Sequence, residues 1–270
     1  MVNFDLFKRI ITALVLLPMV IFLIFTGSYL FFGSILLLGA FSSYEMSRLV
    51  RLWGYHISTK FSVISCLLLT SVIYINLSFF NENIFLVILL QIGIFISLIC
   101  FLNHNSIPII KDYILNVALV IYTSGILSHL LLARNIENST NIILFFMLVI
   151  FASDTSALLF GKTLGKRQLA PKISPSKTYE GAFGGILAAS IMALLLALYF
   201  ELNINWIYVI LLGILIAIIA QIGDILESKF KRMANLINSS EILPGHGGVL
   251  DRLDSVALNL LLLYYFLLWY

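Results

Sequence analysis

Charged residues are scarce in this chain of 270 residues: Asp, Glu, Lys and Arg make up only 11% of it. A soluble domain of ordinary composition has about 25%. Hydrophobic residues reach 61%, which excludes a soluble globular protein because water would not tolerate so much apolar surface. The net charge of +3 is small, and we expect membrane lipid as a partner and no nucleic acid.

Cysteine is also scarce, and several familiar motifs are missing. The two cysteines, Cys66 and Cys100, lie inside apolar runs, match no metal spacing and are interpreted as packing residues. There is no zinc motif, catalytic-serine elbow or dinucleotide fingerprint. The segment Gly161-Lys162-Thr163 is not a P-loop, because Ser156 stands where that motif requires glycine.

Long apolar runs are abundant instead. A helix that spans a bilayer needs about 17–25 mainly apolar residues. The runs predict an all-α integral membrane protein with about nine transmembrane helices in one polytopic domain. We expect about five helices in residues 1–140 and a catalytic C-terminal half in residues 141–270. The runs lie at residues 10–26, 28–44, 61–79, 84–102, 114–133, 141–160, 182–200, 206–222 and 253–270.

The basic residues predict the orientation of these helices. With the N-terminus in the cytoplasm and nine crossings, Arg134 is the only one of the 16 Lys and Arg residues that falls outside. Lys and Arg in short loops favour the cytoplasmic side. The C-terminus is therefore expected outside, and loops 161–181 and 223–252 are expected in the cytoplasm.

The stretch Gln221–Arg232 carries the strongest local signal, at the end of the eighth run. On a helix, four of its polar side chains share one face: Asp224, Glu227, Ser228 and Lys231. Carboxylates at membrane depth are costly and normally line a site or pathway. The alternative is a solvated helix end with a Glu227–Lys231 pair, and for Glu227 both interpretations stay open.

A second stretch, Leu243–Asp254, is rich in glycine and ends at a helix start. Its glycines allow backbone shapes that turn N–H groups towards a phosphate, and a helix N-terminus also favours anions. Asp251 and Asp254 are three positions apart, so they can face the same way. They can also simply favour the helix N-terminus. With Asp224 they suggest Mg²⁺, which carboxylates and substrate phosphates hold together.

A third stretch runs from Asp154 to Gly181. Asp154 lies inside an apolar run, where an ionisable group is a functional candidate. The cations that follow either hold a triphosphate or contact anionic lipid headgroups. Gly181 and Gly185 form a small-xxx-small pair, which favours helix packing over chemistry.

These residues resemble the phosphatidate cytidylyltransferase (CDP-diacylglycerol synthase) family. Its C-terminal signature reads Ser-x-apolar-Lys-Arg, a spacer with Lys-Asp, then Pro-x-His-Gly-Gly-apolar-x-Asp-Arg-apolar-Asp. Here the signature runs over Ser228–Arg232 and Pro244–Asp254, and segment Ser174–Gly181 is similar too. The spacer departs from the family, with Ile237-Asn238 in place of Lys-Asp.

The resemblance implies that CTP and phosphatidate react to CDP-diacylglycerol and pyrophosphate, with the active site on the cytoplasmic face of a bacterial-type inner membrane. It implies Mg²⁺ held by Asp224, Asp251 and Asp254, with a second cation left open, and a homodimer is plausible. Further catalytic roles fall to Lys231, Arg232, His246 and Arg252. Binding roles fall to Asp154, Lys162, Lys166, Ser174, Lys177, Thr178, Ser228, Gly247 and Gly248.

Two other classes of function stay open. A related CTP-dependent lipid enzyme, a polyprenol kinase or a CDP-archaeol synthase, would share the nucleotide handling. An ion-coupled transporter would spread its acids across the membrane depth, often in paired halves. The acids here gather towards one face, and no internal symmetry is evident, so the phosphatidate enzyme is favoured.

Overall fold

The computed structural model describes residues 18–26, 28–79, 108–242 and 247–270. These residues are mainly helical. Residues 18–26 form a helix, and the longer elements follow it. They are α1 (Ser28–Leu52), α2 (Thr59–Phe79), α3 (Pro108–Val120), a π-helical turn (Ile121–Gly125), α4 (Ile126–Arg134), α5 (Ser139–Leu164), β1 (Gln168–Ala170), β2 (Ser174–Thr178), α6 (Tyr179–Tyr199), α7 (Trp206–Met233) and α8 (Leu250–Trp269).

Seven helical stretches among the described residues are long and apolar enough to cross a membrane. They correspond to seven of the nine predicted runs, and α3, the π-turn and α4 together form one of them. The predicted run 84–102 lies outside the described residues, and run 10–26 does so in part. The chain is an all-α integral membrane protein in its main architecture, as predicted.

The chain divides into two compact units. The first comprises Met1–Ile136 and Met233–Asp251, and the second comprises Glu137–Arg232 and Arg252–Tyr270. The first boundary between them falls after Ile136. Segment 233–251, however, belongs with the N-terminal helices.

Buried hydrogen bonds join the helices of the first unit. The Ser62 hydroxyl on α2 donates to Asn116 Oδ1 on α3 at 2.6 Å. Eight residues further along each segment, Thr70 and Ser124 share a hydrogen bond of 2.8 Å between their hydroxyls. Polar side chains that bond across helices satisfy each other where lipid offers no partner.

Small residues bring the helices of the second unit together. Gly185 on α6 faces Ser153 and Ala157 on α5, where an added Cβ would lie 3.0 Å from the Ser153 carbonyl oxygen. Gly181 likewise faces Ala157 and Gly161. The predicted packing role of Gly181 and Gly185 is therefore confirmed. Phe146 on α5 also packs against Phe266 on α8, with the ring centroids 5.6 Å apart.

Two predicted boundaries differ from the structure. The segment predicted as loop 161–181 contains the end of α5 and an antiparallel hairpin, with Gln168 opposite Thr178 and Ala170 opposite Ser174. The segment predicted as loop from residue 223 stays helical to Met233, so Asp224 lies within α7. Hydropathy marks where apolar side chains end, whereas a helix continues as long as its backbone bonds do.

Apolar side chains cover the outer surfaces of the helices. On α6, Leu187, Ile191 and Leu195 follow one another at intervals of four residues and are all exposed. Residues four apart lie on the same helix face. Such a continuous apolar face is the surface that an integral membrane protein presents to lipid.

We expect the substitution Gly213→Ala to destabilise the second unit. A Cβ there would lie 3.0 Å from both the Ala189 carbonyl oxygen and the Ser190 Cα on α6, so α7 would have to move away. Overpacking of this kind costs about 1–3 kcal/mol. Gly33→Ala is the control, because its Cβ would meet no described atom within 4 Å. Thermal unfolding in detergent should rank G213A clearly below G33A, and equal midpoints would contradict this packing.

Candidate functional site

Three aspartates from three helices form an acidic cluster in the second unit. Asp154 lies on α5, Asp224 on α7 and Asp254 on α8. Each of the three carboxylates interacts electrostatically with the other two. Asp154 also accepts a hydrogen bond from the Ser255 side chain, and Asp254 Oδ1 accepts the Ser255 N–H at 2.8 Å. The structure thus brings together Asp154, Asp224 and Asp254 in the second unit, whereas Asp251, the third predicted metal ligand, belongs to the first unit.

Two lysines face this cluster. Lys177, on β2, forms an ion pair with Asp224, with 2.5 Å between Nζ and Oδ2, and it also interacts with Asp154. Lys231 forms an ion pair with Glu227 at 3.1 Å and also interacts with Asp254. The Glu227–Lys231 pair is nearly buried, with side chains 5% and 10% exposed. The Glu227–Lys231 pair of the alternative interpretation is therefore present, but it is nearly buried and does not form a solvated helix end.

Gly223 allows α7 and α8 to meet beside the cluster. A Cβ on Gly223 would overlap the Asp254 carbonyl oxygen. Any other residue would therefore push the two helices apart at the level of Asp224 and Asp254. The glycine that precedes Asp224 is explained by this close approach of two backbones.

The hairpin carries several of the predicted binding residues. The Thr178 side chain caps α6 by accepting the Gly181 N–H at 3.1 Å. Glu180 accepts the N–H of Lys166 at 3.0 Å, and the Arg232 Nε donates to the Ile173 carbonyl at 3.1 Å. These bonds fix the hairpin to the ends of α6 and α7.

The predicted cationic and polar residues differ in their exposure. Ser174 and Ser228 are buried, at 9% and 8% exposed. The side chains of Lys162, Lys166 and Arg252 are exposed. The exposed cations are accessible to a charged ligand, and their predicted binding roles stay predictions.

Asp251 belongs to the first unit and is held there by the glycine-rich loop. Its Oδ2 accepts the N–H of Gly248 at 2.8 Å and the N–H of Ser239 at 3.0 Å. Gly247 has a φ of +79°, and a Cβ on it would lie 2.6 Å from the same oxygen. These glycines permit the close approach of the Asp251 carboxylate.

The N–H groups at this helix start bind carboxylates in the structure. Gly248 donates to Asp251, while Val249 and Leu250 donate to Glu45 at 2.9 and 2.8 Å. The sequence predicts that this loop binds a phosphate, which is an anion like the carboxylates found here. The structure identifies protein carboxylates as the anions on these three N–H groups. The predicted residue His246 lies outside the described residues.

Glu45 and Ser239 are residues that the sequence analysis missed. The second predicted run ends at residue 44, whereas α1 continues to Leu52 and buries Glu45 completely. An acidic residue within a membrane helix was the available signal. In the spacer, Ile237 is 75% exposed, so the departure from the family lies on the surface.

Within the described part of the chain, no group of three or more His, Cys, Asp or Glu side chains is arranged to hold a metal ion. The donor chemistry of the acidic cluster nevertheless fits a hard cation, since its donors are carboxylate oxygens. Mutual repulsion among Asp154, Asp224 and Asp254 is also the kind of interaction that a bound cation relieves.

Comparison with known proteins gives a consistent result. A family model described as the cytidylyltransferase family matches residues 7–270. A protein of Bacillus subtilis strain 168 named phosphatidate cytidylyltransferase is 42% identical over 135 residues, which are 50% of each chain. Proteins of the same name from Staphylococcus aureus strain COL and Staphylococcus epidermidis strain ATCC 12228 are 46% and 45% identical over 116 and 113 residues, 42% of this chain and 44% of each relative.

The chain thus spans about half the length, or slightly less, of the curated relatives it matches. The resemblance predicted from the two signature segments and Ser174–Gly181 is confirmed by the family model, which covers nearly the whole chain.

We expect Thr178→Val to destabilise the protein in the absence of any nucleotide. Valine keeps the shape of threonine but cannot accept the Gly181 N–H, and loss of such a cap costs about 1 kcal/mol. Ser176→Ala is the control, since Ser176 is exposed on the same strand. A lower unfolding midpoint for T178V than for S176A is expected. Equal midpoints would show that the cap adds no stability.

Proposed function

This chain belongs to the cytidylyltransferase family, and from that premise we propose that it transfers the cytidylyl group of CTP to phosphatidate. The products are CDP-diacylglycerol and pyrophosphate, and the reaction belongs to phospholipid biosynthesis. The relatives named phosphatidate cytidylyltransferase support this choice of substrates.

The acidic cluster with its two lysines carries the proposal. Asp154, Asp224 and Asp254 lie on membrane helices, with Lys177 and Lys231 beside them. Ionisable groups in membrane helices are costly and normally serve a function. A charged cluster on membrane-spanning helices suits a substrate with a charged headgroup and acyl chains, because the chains can stay in lipid.

The reaction needs alignment and charge neutralisation more than covalent chemistry. The phosphate of the lipid attacks the α-phosphorus of CTP, and the bond to pyrophosphate breaks. The attacking oxygen is already anionic, so a dedicated general base is unnecessary. Lys177, Lys231 and Arg232 would neutralise and orient the phosphates, and alignment of this kind supplies much of a phosphoryl-transfer enzyme's acceleration.

We assign Mg²⁺ binding to aspartates of this chain. Asp224 and Asp254 would supply carboxylate oxygens, and the family resemblance adds Asp251. When bound, the ion would neutralise the charge that develops on the phosphate oxygens. Lys177, which pairs with Asp224 in this structure, would supply a positive charge for a substrate phosphate beside the same carboxylate.

The orientation of the site follows from the charges of the sequence. Basic residues in the hairpin and at the end of α7 favour the cytoplasmic side of the membrane, where CTP is available. The proposal of a homodimer rests on the family resemblance alone. The small residues Gly181, Gly185 and Gly213 do not support it, because they pack against helices of their own unit.

The direct test is conversion of phosphatidate and radiolabelled CTP to labelled lipid by the purified protein. We expect labelled CDP-diacylglycerol with Mg²⁺, and none after chelation, because the carboxylates and phosphates need a cation between them. Polyprenol and archaeal lipids serve as rival acceptors. Product from a rival acceptor alone, or from none, would contradict the proposal.

A pair of lysine variants makes this test specific to the cluster. Lys177→Met removes the partner of Asp224, and we expect turnover to fall at least tenfold. Lys172→Met removes a cation from the exposed turn of the same hairpin, and wild-type turnover is expected. Equal activity in both variants would remove Lys177 from the site.

A further inference from the structure

Glu45 is an acidic residue in a buried position of a membrane helix. It lies on α1, where its exposed fraction is 0%. An ion buried without partners costs several kcal/mol. Its position therefore demands a full set of hydrogen-bond donors.

Four donors supply that set, two on each carboxylate oxygen. Oε1 accepts from the Ser240 hydroxyl at 2.6 Å and the Val249 N–H at 2.9 Å. Oε2 accepts from the Ser239 hydroxyl at 2.9 Å and the Leu250 N–H at 2.8 Å. A carboxylate has about four acceptor positions, so Glu45 joins both ends of the segment between residues 239 and 250.

Ser239 connects Glu45 to Asp251. Its hydroxyl lies 2.9 Å from Glu45 Oε2 and 3.0 Å from Asp251 Oδ2, so both carboxylates share this group. The Ser239 N–H also donates to Asp251 Oδ2 at 3.0 Å. The orientation of the Asp251 side chain thus depends on the residue that Glu45 holds.

Gly248 shows how tightly this network is built. A Cβ on Gly248 would lie 2.5 Å from both Glu45 oxygens and would overlap the Ser239 hydroxyl. The backbone therefore passes directly over the Glu45 carboxylate. Glycine is the residue that such a close approach requires.

We propose that Glu45 is a positioning residue for turnover, which holds Ser239 and residues 248–250 so that Asp251 keeps one orientation. The inference rests on the proposed function, in which Asp251 takes part in cytidylyl transfer. Glu45 acts through Ser239 and contacts no substrate itself. Loss of a residue that orients a ligating group typically costs about 10–100-fold in activity.

The test is a double-mutant cycle with Glu45→Gln and Ser239→Ala. Glutamine has the size of glutamate but places an NH₂ group against a donor, which breaks the network. We expect each single variant to lower kcat about tenfold, with activity counted per folded molecule. The double variant should lose about the same tenfold, because both changes break one connection. Losses that multiply to about a hundredfold would overturn the proposal.

Matched serine variants separate positioning from general stability. Ser43→Ala removes a buried hydroxyl of α1 that has no hydrogen-bond partner among the described residues, and its kcat should equal that of the wild type. Ser240→Ala removes one hydrogen bond to Glu45 but leaves Ser239 between the two carboxylates. Its kcat should therefore fall less than that of S239A. If E45Q does not fold, the comparison of S239A with S240A decides, and equal kcat values would contradict the proposal.

Amide hydrogen exchange without substrate gives a second readout. In E45Q, an NH₂ group replaces one of the two oxygens that accept the N–H groups of Val249 and Leu250, so one of these N–H groups loses its acceptor. We expect exchange of residues 248–250 to accelerate about tenfold with α2 unchanged. Unchanged exchange in that segment would overturn the proposal. A wild-type protein that makes no CDP-diacylglycerol would contradict the proposed function, and the exchange result would still show whether Glu45 holds this segment.

Discussion

Charged groups in the membrane-spanning helices must find their partners within the protein, because hydrocarbon offers none. This constraint organises both units. In the first unit, Glu45 receives four hydrogen bonds. In the second, Lys177 pairs with Asp224, and Lys231 with Glu227. The Glu45 and Lys177 partnerships cross from one element to another, so these polar residues of an apolar protein also determine where its backbone segments meet.

Glycine is required where these polar contacts form, because they bring a backbone segment so close to a carboxylate or a carbonyl that no side chain fits between them. Gly223 allows the Asp254 carbonyl to approach α7, and Gly248 lies over Glu45. A glycine-rich segment with nearby acids is therefore explained by the geometry of the free protein. The family signature combines both, and its Gly-Gly pair serves the carboxylates of Glu45 and Asp251 in this structure.

Hydropathy predicted the helices well, because a long apolar run has few alternatives in lipid. The spacing of Glu227 and Lys231 allowed their pairing as one of two open interpretations, because that contact is local to one helix, but it did not indicate that the pair is nearly buried. Contacts between distant segments were beyond the sequence: Glu45 lies 194 positions before Ser239, and an acidic residue in an apolar run does not identify its partner. The hairpin was missed because its short strands, including the Ser-Pro-Ser-Lys-Thr segment of β2, are polar and give no alternating pattern.

The most direct measurement is turnover of phosphatidate and CTP by the Asp251→Asn variant, alongside its thermal unfolding. Asparagine can keep a carbonyl oxygen where Oδ2 accepts the N–H groups of Ser239 and Gly248, so the fold should be retained while the negative charge is lost. We expect an unfolding midpoint close to that of the wild type and no detectable CDP-diacylglycerol. Wild-type turnover in this variant would contradict a role for the Asp251 charge, and with it the proposed carboxylate chemistry.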